Sequence, residues 1–428
     1  MLRLAAVVVA VALLVGCGAS EADRGDAECT TSGPTCVHVG VGQPIYLGEL
    51  LNLTTNSGLD SQQSIRLGLD YLDGVFDGEP GTLLGHDVVV LTEEDACSAV
   101  GGRTGALRLL QEPALVAVVG TTCSSAALGA ADAVLADGSV PLVSPSNTAP
   151  SLTDPEVRQR TYFRVSFNDV LQASAVADFA RLRQGWGSAV AVHRAGDVYS
   201  EQLATAFGAS FARLGGSQLG DFALEDAFSS DAVAKRVAAL DPAVVFITAF
   251  SPECEAMAAA LRAQPATRRT PIVVSEACQT ETFLDALGPA AAGVYASGPD
   301  FSYLTDNAFY RDGYLPAYRR QTGGDPIAVF HAFAFDAFSL VVDAIRRTAV
   351  VEPGGALSID REGLRRALLQ VRGYPGMSGR LTCAASGDCA EGARIAVYRA
   401  PDWPVARGAG ATPVFSQQKT LAQIRGGG

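Results

Sequence analysis

The sequence predicts an α/β protein of two lobes, each a mainly parallel sheet flanked by helices. Three observations carry that expectation. Short apolar runs alternate with helical stretches from residue 44 onward, the rhythm of strand–helix–strand units. The rhythm comes as two series, one closing near residue 167 and one opening near 188. A length of 428 residues is enough for two domains with full cores.

In the first series PIYLGELL (44–51) precedes an amphipathic stretch from Gly58 to Leu72, and DVVVLTEED (87–95) precedes GGRTGALRLLQ (101–111). ALVAVVG (114–120) then leads into Ser124 to Leu135, and VPLVSPS (140–146) and TYFRVSF (161–167) close the sheet. A helix near 169–184 joins the two series. SAVAVHRAG (188–196), AVVFITAF (243–250), PIVVSEA (271–277) and GVYASGP (293–299) are the strands of the second, with helical segments between them. Two long helical stretches follow, 305–321 and 328–347. GRLTC (379–383) and ARIAVYRA (393–400) read as strands, and the Gly/Pro-rich tail 401–428, ending IRGGG, reads as disordered.

The start of the chain reads as a targeting segment. MLRLAAVVVAVALLVGC has one positive charge at Arg3 and an apolar run from Leu4 to Val15. That run is too short for a membrane span and matches a secretory signal over residues 1–16. Leu14-Val15-Gly16-Cys17 resembles the bacterial lipobox, which implies a lipidated Cys17 and an exported protein anchored to the cell envelope. The envelope face would be the periplasm or the outer side of the cytoplasmic membrane. Residues 17–43 read as a polar tether carrying a small cysteine loop. No later segment is apolar enough to cross a bilayer, so the lipid is the expected anchor. The net charge of −13 argues against nucleic acid as a partner.

Nine cysteines include Cys17, and the other eight are an even number in an exported chain, so disulfides are expected. Local spacing makes Cys29–Cys36 and Cys383–Cys389 small loops. Cys97, Cys123, Cys254 and Cys278 are then left to pair by position in the fold. The four histidines are scattered, and neither C-x-x-C nor H-x-x-x-H occurs, so no metal and no cofactor is expected.

Ligands of open parallel sheets gather beyond the carboxyl ends of the strands. Four such ends carry polar chemistry. GTTCSS (120–125) and SPSNT (144–148) offer hydroxyls and amides with no acid among them, a setting for a carboxylate. VVSEAC (273–278) sets Glu276 just past a strand, placed to meet a cation. HRAGDVYSEQL (193–203) sets Tyr199 at a loop-to-helix boundary. Taken singly, Ser124 reads sooner as a helix cap and Thr148 as a turn residue, and Glu276 reads equally as a solvated acid and Tyr199 as a core-edge ring. Taken together, an anion pocket on one lobe and an acid plus an aromatic on the other suit a zwitterion.

The ordered set DACSAV, VVGTTCSS, VPLVSPSNTAPSL, YFRVSFND, HRAGDVYSEQL and VVSEACQTETF resembles the type I periplasmic-binding-protein fold, the two-lobed Venus flytrap. It is most similar to the branched-chain amino-acid (leucine/isoleucine/valine) binding proteins of ABC transporters. The resemblance spans about residues 44–400 and implies three crossovers, near 164, 297 and 372. Lobe 1 would then be 44–163 with 298–371, and lobe 2 164–297 with 372–400. It implies a Cys97–Cys123 disulfide and places Ser124 on the ligand carboxylate. Thr148 and Ser146 stand beside it, Tyr199 matches the family aromatic, and Glu276 matches the acid that takes the ammonium. Ser57 stands where an aromatic is frequent, and Phe250-Ser251 where two aromatics are typical, which leaves the side-chain pocket undefined. Cys254 and Cys278 follow strands that the topology makes neighbours, so they are expected to pair on geometry alone.

The implied mechanism is binding without chemistry. The lobes close on an amino acid or similar small zwitterion, and the closed monomer docks on an ABC-transporter permease. A sensing receptor of the same fold, or transport of an amide, urea-like or aromatic-acid ligand, are the alternatives. An enzyme built on Cys123 or Ser124 would need a base and an orienting group. No G-x-S-x-G elbow is present, and the even cysteine count argues that Cys123 is oxidised.

Overall fold

The computed structural model describes residues 29, 35–157, 159–390 and 392–426. The signal-like segment and Cys17 lie outside these residues. A short strand β1 (Cys36–Val39) opens the fold, and β2 (Ile45–Leu51), β3 (Val88–Glu94), β4 (Leu115–Gly120), β5 (Leu142–Ser144) and β6 (Tyr162–Arg164) build the first sheet. Its order is β3-β2-β4-β5-β6 with every pairing parallel. Both faces are covered, which is why β4 reads as an unbroken apolar run with all six residues buried.

The second sheet takes β7 (Ser188–Arg194), β8 (Ser217–Leu224), β9 (Val244–Ile247), β10 (Ile272–Val274) and β11 (Val294–Pro299), parallel throughout. The chain then returns to lobe 1. The pairs β12 (Val350–Val351) with β13 (Leu357–Asp360), and β14 (Tyr374–Gly376) with β15 (Gly379–Leu381), are small antiparallel additions there. β16 (Arg394–Arg399) and β17 (Phe415–Gln418) finally join the second sheet antiparallel, giving the order β17-β16-β11-β10-β9-β7-β8. Separate apolar clusters fill the two faces of each sheet.

The helices that matter for the site begin at strand ends. α1 (Asn56–Asp70) follows β2, α2 (Ala99–Leu109) follows β3 and α3 (Ser124–Ala130) follows β4. α4 (Asp169–Asp178) leaves the first crossover, and α5 (Val198–Arg213) follows β7. Thr55, Ser98, Asn168 and Asp197 cap α1, α2, α4 and α5 through their side-chain oxygens. α2 and α3 cross with almost no space between them. A Cβ on Gly102 would sit 2.0 Å from the Ala126 carbonyl oxygen, and one on Gly129 1.8 Å from that of Ala99.

Four expectations need correction. Part of the supposed tether is folded: β1 pairs antiparallel with β13, and Val37 and Val39 are buried in the lobe 1 core. The third crossover lies beyond Ala390 and not near 372. Met377, Leu381, Cys383 and Ala390 all pack in the lobe 1 core, and β16 is the first return to sheet 2. The described residues of the tail, 401–426, are folded. Trp403 is fully buried against Phe283, β17 extends the sheet, and Leu421 and Ile424 are buried. A few apolar anchors overrode its Gly/Pro composition. Lastly, Ser124 does not cap α3: Cys123 occupies the cap position, without a side-chain bond to the helix.

All four expected cysteine pairs are bonded: Cys29–Cys36, Cys97–Cys123, Cys254–Cys278 and Cys383–Cys389. The last of these loops lies against the end of β6, where Arg164 is wholly buried. Its guanidinium donates to Asp388 at 2.7 and 3.1 Å, to the Ala149 carbonyl and to the Thr153 hydroxyl. A buried arginine is tolerable because its charge is paired and its remaining donors are used. This network binds the first crossover to the approach of the third.

Candidate functional site

Between the lobes lies a cavity of about 290 Å³, the size class of a small-molecule site. Its walls come from the carboxyl ends of strands in both sheets. Lobe 1 supplies Ser57 at the start of α1, Thr122 to Ser124 at the β4–α3 junction, Ser146 beyond β5, and the segment Ile327–Phe330. Lobe 2 supplies Tyr199 on α5, Phe250 and Ser251 beyond β9, and Glu276, Ala277, Gln279 and Thr280 beyond β10. Among the described residues, the cavity wall carries no Lys, Arg or His.

The lobe 1 wall is fixed by Asp95. This buried acid accepts from the amide of Cys97 at 2.8 Å and from that of Thr122 at 2.7 Å. The Cys97–Cys123 bond ties the same two loops together. Asp95, Cys97 and Cys123 are also the one cluster of metal-ligand residue types among the described residues, but both sulfurs are consumed by their disulfide. Burial pushes Asp95 up to about 6. The Ser124 hydroxyl, on a residue 3% exposed, accepts from the Ala149 amide at 3.3 Å, and among the described residues its own proton has no acceptor. Ser146 donates to the Thr122 carbonyl at 2.8 Å, so its hydroxyl proton is already used. Thr148 does not reach the wall. It sits behind it, its buried hydroxyl beside the Asp169 carboxyl group without a well-aligned hydrogen bond to it.

The lobe 2 wall is acidic and aromatic. Glu276 opens a single 3₁₀ turn (Glu276–Cys278) directly after β10. Gln172 on α4 donates to it at 2.6 Å and to the Ser297 hydroxyl at 2.9 Å, which sets the carboxylate's direction. Gly298 on β11 permits this seat, since a Cβ there would lie 3.0 Å from the Cβ of Glu276. Tyr199 packs against Phe250 with ring centroids 5.3 Å apart. Its hydroxyl lies beside Glu276 and Ser275 without a well-aligned hydrogen bond to either.

Behind Glu276 stands Asp169, fully buried, with the Thr148 hydroxyl beside its carboxyl group but no well-aligned hydrogen bond to either oxygen. Burial raises Asp169 well above the ordinary aspartate value, and the neighbouring Glu276 raises it further. Burial likewise raises Glu276, against the lowering effect of its Gln172 bond. Burial and these two acids lift the Tyr199 phenol well above its usual value. No Lys, Arg or His stands on the wall beside these acids, and the one guanidinium that acts on Asp169, that of Arg164, is already bonded to Asp388.

The lobes touch at the rim of the cavity. Ser125 on α3 donates to Asp197, the cap of α5, at 2.8 Å. Ser151 and Gln202 exchange two bonds, at 3.0 and 2.9 Å. These bonds hold the two walls facing each other.

Sequence reading located Ser57, Ser124, Ser146, Tyr199, Phe250 and Glu276, and the structure brings all six onto one cavity. It missed Asp169, Gln172, Gln279 and the 327–330 wall. Asp169 and Gln172 stand three apart at the start of α4, which is a legible signal for two side chains on one helix face. Segment 327–330 is a loop far along the chain and left no signal.

A two-lobed α/β solute-binding protein is the class that this fold and interlobe cavity define. Residues 44–398 match the family model described as periplasmic binding protein, and the chain belongs to that family. Three similar structures bear on the fold. One is a leucine-binding protein from Thermotoga maritima, at 19% identity and TM-score 0.71, covering 88% of this chain and 98% of that one. A second is a branched-chain amino-acid transporter substrate-binding protein from Streptococcus pneumoniae in complex with isoleucine. It shows 18% identity and TM-score 0.69, over 88% and 99% of the two chains. A third is an ABC-transporter solute-binding protein from R. palustris in complex with benzoate, at 17% identity and TM-score 0.68, over 89% and 96%. No curated protein sequence matches the chain significantly. Among the described residues no helix is long and apolar enough to cross a membrane.

Proposed function

We propose that this protein binds a small zwitterion, an amino acid, by closure of its lobes and hands it to an ABC-transporter permease. The observation that carries the reading is the buried Glu276 carboxylate facing the interlobe cavity with no cation on its wall. A ligand ammonium group supplies the missing charge, and Tyr199 and Phe250 flank it with aromatic faces. Across the cavity the Ser124 hydroxyl donates to the ligand carboxylate. Ser57 and Phe250 border the side chain, and Ser146 and Thr148 support the wall. Closure is favoured when ligand bridges the two walls, because each lobe alone offers half of its contacts. The chemistry is binding only. The lipobox-like Cys17 would keep the protein at the envelope, close to its permease.

The benzoate complex of the R. palustris relative, together with the Tyr199–Phe250 pair, favours a second reading in which the ligand is an aromatic acid. Such a ligand leaves Glu276 and Asp169 uncompensated, which counts against it. A thermal-shift screen of L-amino acids beside benzoate and its hydroxylated analogues separates the two. An amino acid is expected to raise Tm and benzoate to leave it unchanged. A screen in which only aromatic acids shift Tm refutes the amino-acid reading.

A further inference from the structure

Gln279 closes the 3₁₀ turn that Glu276 opens, and the residue lines the interlobe cavity. It is 2% exposed, and neither its amide nitrogen nor its amide oxygen has a hydrogen-bond partner in the protein. A buried primary amide with both ends unmet is a binding group awaiting its complement. We infer that Gln279 reads the ligand's side chain, and that the side chain carries a carboxamide or ureido group. The inference rests on the proposed seating of an amino acid by Glu276.

The geometry supports this assignment in three ways. Residues three apart in a 3₁₀ turn lie on one face, about 6 Å apart along the axis. With Glu276 on the ammonium, Gln279 therefore meets a group a few bonds out along the ligand's side chain. The Cys254–Cys278 bond anchors the residue immediately before Gln279, so its backbone is held to the helix Glu253–Ala263. Opposite, Val329 and Phe330 are buried and apolar, suited to the methylene groups in between. An amide ligand pairs with an amide wall through one donor and one acceptor in each direction. Leucine or isoleucine would fill the same volume and leave both Gln279 atoms unpaired, which a site built for hydrogen bonding rejects strongly.

Calorimetry on the full chain with L-glutamine, L-citrulline, L-leucine and benzoate tests it. L-Glutamine or L-citrulline is expected to bind at least tenfold more tightly than L-leucine. Gln279→Leu and the unbranched Gln279→Met should each erase or invert that ratio while Glu276 still requires an α-ammonium group. Wild-type protein that binds leucine as tightly as the amide ligands overturns the inference and leaves the amino-acid reading standing. So does a ratio that both variants leave unchanged. Binding of benzoate with no amino acid bound overturns the amino-acid reading itself.

Discussion

Glu276→Gln removes one negative charge from a side chain that is 5% exposed, while keeping its shape and its contact with Gln172. Losing one partner of a buried, hydrogen-bonded charge pair costs about 2–5 kcal/mol. Asp169 remains behind the site and still attracts the ligand's ammonium group, so the lower half of that range applies here. A loss of about 2–3 kcal/mol corresponds to roughly a 30- to 150-fold rise in Kd. Titration calorimetry with the tightest amino acid of the screen measures it directly. The free variant should melt at or above the wild-type temperature, because the substitution relieves two acids of each other. A Kd within twofold of wild type in a folded Glu276→Gln protein would refute the assignment of Glu276 to the ammonium group.

Two further outcomes follow from the same geometry. Ser125→Ala with Gln202→Ala removes the rim bonds between the lobes without touching the cavity wall. At the low end of about 0.5–1.5 kcal/mol per bond, suited to half-buried groups, three bonds total about 1.5 kcal/mol, so Kd should rise about tenfold. Small-angle scattering should show a more open free protein, and an unchanged scattering profile would count against the rim bonds as a latch. The pH dependence has opposite signs for stability and for binding. Asp169 and Glu276 have raised values in the folded, ligand-free protein, so above the ordinary carboxylate values the folded state holds more protons than the unfolded chain. Their contribution to stability therefore falls as pH rises through the raised values. Amino-acid affinity rises over the same window, because the ammonium group needs an ionised partner. Calorimetry in buffers of different ionisation enthalpy should detect proton release on binding, reduced in Asp169→Asn. Equal proton release in both proteins would assign the proton elsewhere.

The sequence by itself determined the architecture because its signals are local. Apolar runs such as VVFI at 244–247 mark strands buried on both faces, and the polar residues that follow each strand mark where ligand would lie. Cysteine spacing was equally local for Cys29–Cys36 and Cys383–Cys389. Other features were decided by contacts between distant segments. Trp403 and Ile424 look like stray apolar residues in a Gly/Pro-rich tail until the core that covers them is in place. The third crossover moved past residue 390 because the 374–389 segment packs on lobe 1 and Asp388 answers Arg164. In the cavity, type and spacing were sufficient to find Glu276 and Ser124. Both Ser124 and Thr148 are buried, and only their place relative to the cavity separates the first, on the wall, from the second, behind it. Burial turned Asp169 and Gln279 from ordinary polar residues into groups that lack a well-aligned hydrogen-bond partner. A side chain's chemistry is written in the sequence, but whether water or a ligand must satisfy it depends on what the folded chain places around it.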